Sequence, residues 1–137
     1  MTVLVDTSAW SLALRRNPSH LSEDQLRILK LLQEVFIEGR ARLLGLVRQE
    51  LLTGVRHREQ FERLRTALRA FDDVGIFTED HEDAAAIANR CRAAGLAGHA
   101  VDFLICAVAL RRNWAILTLD KDFHQYSKVL PLILLNI

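Results

Sequence analysis

The chain has 137 residues, enough for one domain with a single core and too few for two. Half of the residues are hydrophobic and only two are proline, a composition that argues against disorder. The chain has 18 lysines and arginines and 17 acids, a formal net charge of +1. Net charge alone therefore excludes neither a nucleic-acid partner nor a small-molecule one.

No apolar run is long enough to cross a bilayer, and the N-terminus lacks the basic start and small-residue cleavage site of a signal peptide. We therefore expect a single domain over residues 1–137, located in the cytoplasm and not associated with a membrane.

The first half of the chain alternates short apolar runs with helical patterns. Two strands are predicted, at 2–5 and 41–46, and four helices, at 7–14, 22–38, 47–52 and 58–71. The hydroxyls of Thr7 and Ser8 are suited to capping the first helix. Ser22 and Gln25 fit a capping box for the second, which Gly39 ends.

The second half continues this alternation. Three strands are predicted, at 74–77, 114–119 and 132–137, and three helices, at 78–95, 100–112 and 120–127. Thr78 is suited to capping the helix that follows it, and acidic residues in its first turns complement the helix dipole. Strands alternating with helices predict an α/β sandwich around a mostly parallel sheet.

Acidic residues follow two of these strands or begin nearby helices. Asp6 stands at the carboxyl end of the first strand and Asp120 at the carboxyl end of the strand 114–119. Asp102 lies near the start of a helix, Glu50 lies in the helix after the second strand, and Asp122 follows Asp120 by two positions. Because ligand sites in parallel sheets form beyond the carboxyl ends of the strands, we expect these side chains to converge.

Several carboxylates brought this close repel one another unless some take up protons or a cation lies between them. Oxygen ligands without imidazole or thiolate favour magnesium or manganese. Magnesium commonly binds through one or two carboxylates together with substrate phosphate. The pattern therefore indicates a phosphodiester as the substrate class.

Three of these acids also have plain structural interpretations. Asp6 alone could cap the helix that follows it, although Thr7 and Ser8 are available for that role. Asp120 and Asp122 alone are typical of a solvated turn. The joint placement at strand ends favours the functional interpretation.

Asp102 and Glu50 differ in how strongly they indicate a site. Asp102 lies in the most apolar stretch of the chain, where an uncapped carboxylate needs a counter-charge. Glu50 is ambiguous, because Arg48 or Arg56 could serve as its partner. Thr118, two residues before Asp120, could hydrogen-bond a carboxylate or be an ordinary strand residue.

Four segments together resemble the PIN-domain ribonucleases, and specifically the VapC-type toxins of bacterial toxin–antitoxin modules. In chain order they are VLVDTS at 3–8, ELLTG at 50–54, VDFLICA at 101–107 and LTLDKDF at 117–123. Each motif alone is weak, but their order and separation cover essentially the whole chain. The resemblance implies a PIN-like three-layer α/β/α sandwich.

The resemblance also implies roles for individual residues. Asp6, Glu50, Asp102 and Asp120 correspond to the acidic quartet that binds magnesium or manganese in such proteins. Asp122 corresponds to an additional acid beside the quartet, and Thr7 or Ser8 and Thr118 correspond to hydroxyls that support the site. Phe103, after the third acid, departs from the smaller residues common there.

Family members hydrolyse RNA endonucleolytically, often transfer RNA or a ribosomal RNA loop. They are usually dimers and are neutralised by a cognate antitoxin, with which they form hetero-oligomers. The resemblance implies the same RNA substrate and the same partners here. Two alternatives stay open: a metal-dependent nuclease for single-stranded or flap DNA, and a PIN fold kept as a non-catalytic scaffold.

Overall fold

A parallel sheet of three strands lies at the centre of the fold. In the computed structural model, which describes residues 1–14 and 18–135, the strands are β1 (Val3–Val5), β2 (Ala41–Arg42) and β3 (Ala115–Leu117). They are ordered β2-β1-β3, and both neighbours of β1 run parallel to it. All residues of β1 and β3 are buried and apolar, as expected for strands covered on both faces.

Helices make up most of the remaining described chain. Their bounds are α1 (Thr7–Ala13), α2 (Glu23–Ile37), α3 (Gly45–Leu52), α4 (Arg58–Leu68), α5 (Thr78–Ala93), α6 (Ala100–Arg112) and α7 (Asp122–Tyr126), with a short 3₁₀ turn at Pro18–His20. Helix α1 packs against α2 and α3, α3 against α4, and α5 along α6. None of the helices described here is both long and apolar enough to cross a membrane.

The predicted α/β/α architecture with a parallel sheet is confirmed, but the strands are shorter than predicted. The strand expected at 41–46 ends at Arg42, and α3 begins at Gly45. Short apolar runs fit a strand and a helix equally well, which explains the misplaced boundary.

Two predicted strands reduce to single bridges at the edges of the sheet. Near 74–77 a single bridge joins Asp73 to Leu43, with the N–H of Val74 donating to the carbonyl of Leu43, while the carbonyl of Gly75 accepts a hydrogen bond from Arg112. In the predicted strand 132–137 only Leu134 pairs, with Ile116. Residues 136 and 137 lie outside the described residues.

Two predicted caps are wrong. Thr7 and Ser8 are the first two residues of α1, one and two positions too late to cap it, and the N-cap residue is Asp6. Thr78 is likewise the first residue of α5, whose N-cap is Phe77. The N–H of Phe77 donates to the Asp80 carboxylate at 2.8 Å, so this side chain closes the helix start. The predicted capping box of Ser22 and Gln25 is confirmed.

A buried ion pair joins the start of α5 to the end of α6. Arg112 donates to both oxygens of Asp80, at 2.8 and 3.0 Å, and its guanidinium lies over the rings of Phe77 and Trp114. Asp80 is fully buried, and Arg111 lies 3.2 Å from it. The hydrogen bond from Arg112 is the main reason that the pKa of Asp80 falls to about 2.

We predict that Asp80→Ala lowers the free energy of unfolding by about 3–5 kcal/mol, because it leaves the buried end of Arg112 without its partner. The depressed pKa of Asp80 stabilises the fold above pH 3.8, and this contribution is lost as the pH falls towards 2. Urea unfolding at pH 7 and across pH 2–5 measures both effects. Wild type should lose about 2 kcal/mol over this range that the variant does not lose.

The matched control is Asp24→Ala, which removes an exposed i,i+3 ion pair with Arg27. Its cost should stay below about 1 kcal/mol. Equal costs for the two variants would contradict a structural role for the buried pair.

Candidate metal centre

The parallel pairing of β1 and β3 brings the first and the last of the four acidic segments together. Val5 pairs with Leu117, so the next residues along the two strands are Asp6 and Thr118. The N–H of Asp6 donates to the carbonyl of Leu117 at 3.0 Å, which extends the ladder by one step. Both residues are buried although both are polar. The strand ends that lead into Asp6 and Asp120 therefore lie side by side at the carboxyl edge of the sheet.

A network of hydroxyl groups holds the Asp6 carboxylate. Its Oδ2 accepts hydrogen bonds from Thr118 at 2.6 Å and from Ser8 at 2.9 Å. The Ser8 hydroxyl accepts from the N–H of Leu119, and the Thr118 hydroxyl accepts from the N–H of Asp120 at 2.9 Å. Asp6 occupies the N-cap position of α1 but makes no side-chain capping bond, so its side chain serves this network instead.

Three further carboxylates meet beside this network. Asp102, Asp120 and Asp122 can each place an oxygen within 4.8 Å of the oxygens of the other two. Asp102 is buried in the first turn of α6, Asp120 is half-buried after β3, and Asp122 is exposed at the start of α7. The N–H of Asp122 donates to Asp120 Oδ1 at 2.9 Å and fixes the turn between them. The trio draws on two separate parts of the chain.

Asp102 carries the strongest electrostatic signature of the cluster. The pKa of its carboxyl is raised to about 6, mainly by burial and in smaller part by the nearby charges of Asp6 and Asp120. The hydrogen bond from the Tyr126 hydroxyl, 2.9 Å long, opposes this rise, as does His99. The sequence predicted that Asp102 needs a counter-charge, and no lysine or arginine supplies one within residues 1–14 and 18–135.

Tyr126 and Gly98 belong to this site and were not predicted. Tyr126 is fully buried between Phe103 and Phe123 and donates its hydroxyl hydrogen to Asp102. A Cβ at Gly98 would lie 2.5 Å from the Tyr126 hydroxyl oxygen, so only glycine permits this approach. The spacing of Asp122 and Tyr126, four residues apart on one helix face, is the one sequence signal that could have indicated the tyrosine.

Glu50 lies at the rim of the site, apart from the aspartate trio. It is exposed in the last turn of α3 and lines a cavity together with Val101, the residue before Asp102. Arg48, one of the partners suggested for it, binds Asp73 and the carbonyls of Leu68 and Phe71 instead.

Thr7 also differs from the other predicted supporting residues. Its hydroxyl oxygen is buried and has no hydrogen-bond partner in the described part of the chain, whereas Ser8 and Thr118 both bind Asp6. Of the two hydroxyls at this point, Ser8 is therefore the one that supports the cluster.

Comparison with known proteins identifies the fold family. The PIN domain family model matches residues 3–129, nearly the whole chain. The chain belongs to the PIN domain family. The resemblance inferred from the four motifs is thereby confirmed at the level of the family. PIN domains are generally nucleases and typically use a divalent metal ion. No curated protein gives a significant sequence match.

Solved structures with the same fold include FitAcB from Neisseria gonorrhoeae, 19% identical with a TM-score of 0.75, covering 98% of each chain. VapBC2 from Rickettsia felis, bound to a DNA fragment from its promoter, is 20% identical over 98% of this PIN domain and 97% of that chain, with a TM-score of 0.69. A toxin–antitoxin complex from Klebsiella pneumoniae is 17% identical over 89% and 90% of the two chains, with a TM-score of 0.63.

The donor set of this PIN domain fits a magnesium or manganese ion. The groups offered are carboxylate oxygens alone, they lie close enough to share one ion, and burial together with the neighbouring carboxylates raises the pKa of Asp102. A divalent cation would remove the repulsion that burial and the neighbouring aspartates impose on Asp102.

We predict that the carboxyl of Asp102 titrates near pH 6 in metal-free protein and that Tyr126→Phe raises this pKa, because the variant removes a hydrogen bond to the charged form. Added magnesium should lower it. Carbon-detected NMR of the side-chain carboxyls across pH 4–8 measures each shift.

The carboxyl of Asp80, whose pKa is about 2, provides the internal control and should show no titration over this range in either protein. An unchanged Asp102 titration in Tyr126→Phe would contradict the hydrogen bond described here.

Proposed function

We propose that this PIN domain is a magnesium-dependent endoribonuclease, the toxin of a toxin–antitoxin pair, with a site formed by Asp6, Glu50, Asp102 and Asp120. The observation that carries the proposal is the meeting of Asp102, Asp120 and Asp122 within 4.8 Å, with Asp6 close enough to raise the pKa of Asp102. Family membership supports the nuclease part of the proposal.

In this proposal Asp6, Asp102 and Asp120 would hold the ion, with Asp122 beside them. Glu50, which is outside the aspartate trio, would complete the acidic set that holds the ion. When bound, magnesium lowers the pKa of a water molecule, polarises the phosphoryl oxygen and stabilises the leaving oxygen. Manganese suits the same ligands.

Neighbouring hydroxyl groups hold these carboxylates in position. Ser8 and Thr118 orient Asp6, and Tyr126 orients Asp102. Because the ion requires the charged form of Asp102, whose pKa is about 6, ion binding would be coupled to proton release at and below about pH 6.

The proposed toxin function and the proposed partners are based on similarity to other proteins. The four motifs resemble VapC-type toxins, and solved structures of the same fold include VapBC2 and a toxin–antitoxin complex. We propose on this basis that an antitoxin covers the site, that the protein forms a homodimer, and that both proteins act in the cytoplasm on cellular RNA such as transfer or ribosomal RNA.

We predict that Asp6→Asn, Asp102→Asn and Asp120→Asn each lower magnesium-dependent RNA cleavage by about 100-fold or more, because each removes charge that stabilises the transition state through the ion. Purified proteins are incubated with RNA and with single-stranded DNA of the same sequence, with magnesium and with EDTA. Circular dichroism checks that the fold is retained.

The matched control is Glu82→Gln, which neutralises an exposed acid on α5 and should cleave like wild type. Cleavage of DNA in preference to RNA would favour the alternative substrate. No cleavage of either, with no stabilisation by magnesium, would favour the scaffold. Undiminished growth arrest on expression of both Asp6→Asn and Asp102→Asn would defeat the proposal.

A further inference from the structure

A neutral group binds one carboxylate oxygen of each aspartate that is proposed to hold the ion. These aspartates are Asp6, Asp102 and Asp120. At Asp6 the bound oxygen is Oδ2, which accepts hydrogen bonds from the hydroxyls of Ser8 and Thr118, at 2.9 and 2.6 Å. The two donors occupy both lone pairs of Oδ2, so Oδ1 is the oxygen that Asp6 has available for an ion.

The bound oxygen of Asp102 is also Oδ2. The Tyr126 hydroxyl donates to it at 2.9 Å, and both side chains are buried. At Asp120 the bound oxygen is Oδ1, which accepts from the N–H of Asp122. The second oxygens of Asp102 and Asp120 accept no hydrogen bond from residues 1–14 and 18–135. Each of these carboxylates therefore has one oxygen bound and one oxygen unbound.

The Tyr126 hydroxyl is held firmly against Asp102. Its ring contacts Phe103 and Phe123, with ring centroids 5.4 and 5.3 Å away. Gly98 leaves space for the hydroxyl, because a Cβ at this position would lie 2.5 Å from the hydroxyl oxygen. The packed ring and the missing side chain at Gly98 together keep the donor at Oδ2 of Asp102.

The number of unbound carboxylate oxygens matters differently to different divalent ions. Calcium takes about six to eight oxygens and often binds both oxygens of one carboxylate. Magnesium demands a near-ideal octahedral arrangement, keeps several waters and commonly binds through one or two carboxylates. Carboxylates that each offer a single oxygen suit magnesium better. Asp122 is not restricted in this way, since its exposed carboxylate accepts no hydrogen bond within the described residues.

We propose that these hydrogen bonds make the site select magnesium over calcium, with Tyr126 as the positioning residue that restricts Asp102 to one oxygen. Without the hydroxyl, both oxygens of Asp102 become available, and calcium gains a pair of ligands that magnesium does not use. The inference rests on the proposed function, in which Asp6, Asp102 and Asp120 hold the ion. It goes beyond that function by attributing the choice of ion to neutral side chains.

The test is isothermal titration calorimetry of wild type and Tyr126→Phe with magnesium chloride and with calcium chloride. The variant should bind magnesium about tenfold more weakly, as is typical when a group that orients a metal ligand is removed. Its calcium affinity should be unchanged or higher, so the ratio of the two affinities shifts about tenfold towards calcium. A proton on Asp102 competes with both ions alike, so a change in the pKa of this carboxyl leaves the ratio unaffected.

A second variant, Gly98→Ala, tests the same contact without removing a hydroxyl. Its added Cβ would displace the Tyr126 hydroxyl, and the affinity ratio should shift in the same direction. The matched controls are Gly75→Ala, whose Cβ would have no atom within 4 Å, and Ser127→Ala, which removes a hydroxyl that donates to the His124 carbonyl. Both controls should keep the wild-type ratio. Circular dichroism checks that each variant is folded.

Two results would overturn the inference. They are a wild-type affinity ratio in Tyr126→Phe, whether or not both affinities fall, and the absence of magnesium binding by wild type. Cleavage of RNA decides the proposed function separately. Magnesium-dependent cleavage with an unshifted ratio in Tyr126→Phe refutes the selectivity and leaves the proposed function standing. A shifted ratio in a protein that cleaves no RNA supports the selectivity and refutes the ribonuclease function.

Discussion

The unpaired carboxylate of Asp102 is the constraint on which the site depends. It is buried at the start of α6, close to Asp6 and Asp120, and its pKa is raised to about 6 mainly by burial. In the absence of a cation its favourable contribution to folding is present below about pH 4 and lost as the pH rises through 6. The chain therefore gives up stability at neutral pH to keep a negative charge available at this point.

The two ends of α6 shift the pKa of a buried aspartate in opposite directions. At its C-terminal end Arg111 and Arg112 surround Asp80 and lower its pKa to about 2. At its N-terminal end Asp102 has a tyrosine hydroxyl as its partner and a pKa of about 6. Burial raises the pKa of both carboxyls. At Asp80 the arginines outweigh it, whereas at Asp102 the single hydroxyl partner does not. The first aspartate is therefore structural, and the second is available for a ligand.

The sequence predicted the elements that depend on local pattern. These elements are each determined by a few neighbouring residues. They are the apolar runs of β1 and β3, the periodicity of α2 with its capping box, and the acids that follow β1 and β3. The parallel order of the sheet then brings Asp6 next to Thr118, a consequence that alternating strands and helices already implied.

Features that depend on distant partners were missed. Nothing within residues 74–77 shows that the Gly75 carbonyl binds Arg112, 37 positions away, so this segment was predicted as a strand. The contact of Tyr126 with Asp102 and the close approach of Gly98 depend in the same way on packing between separate helices and loops. The wrong caps at Thr7 and Thr78 reflect helix starts misplaced by one or two residues.

The groups that hold the clustered aspartates share one property, since each is electrically neutral. Hydroxyls of Ser8 and Thr118 bind Asp6, the hydroxyl of Tyr126 binds Asp102, and a backbone N–H binds Asp120. An arginine in any of these places would hold its carboxylate more firmly, as Arg112 holds Asp80, but it would also neutralise the charge that attracts a cation. Neutral donors fix the positions of the oxygens and leave their negative charge uncompensated. This combination of fixed geometry and uncompensated charge is what a site for a divalent ion requires, and it distinguishes the cluster from the arginine-bound Asp80.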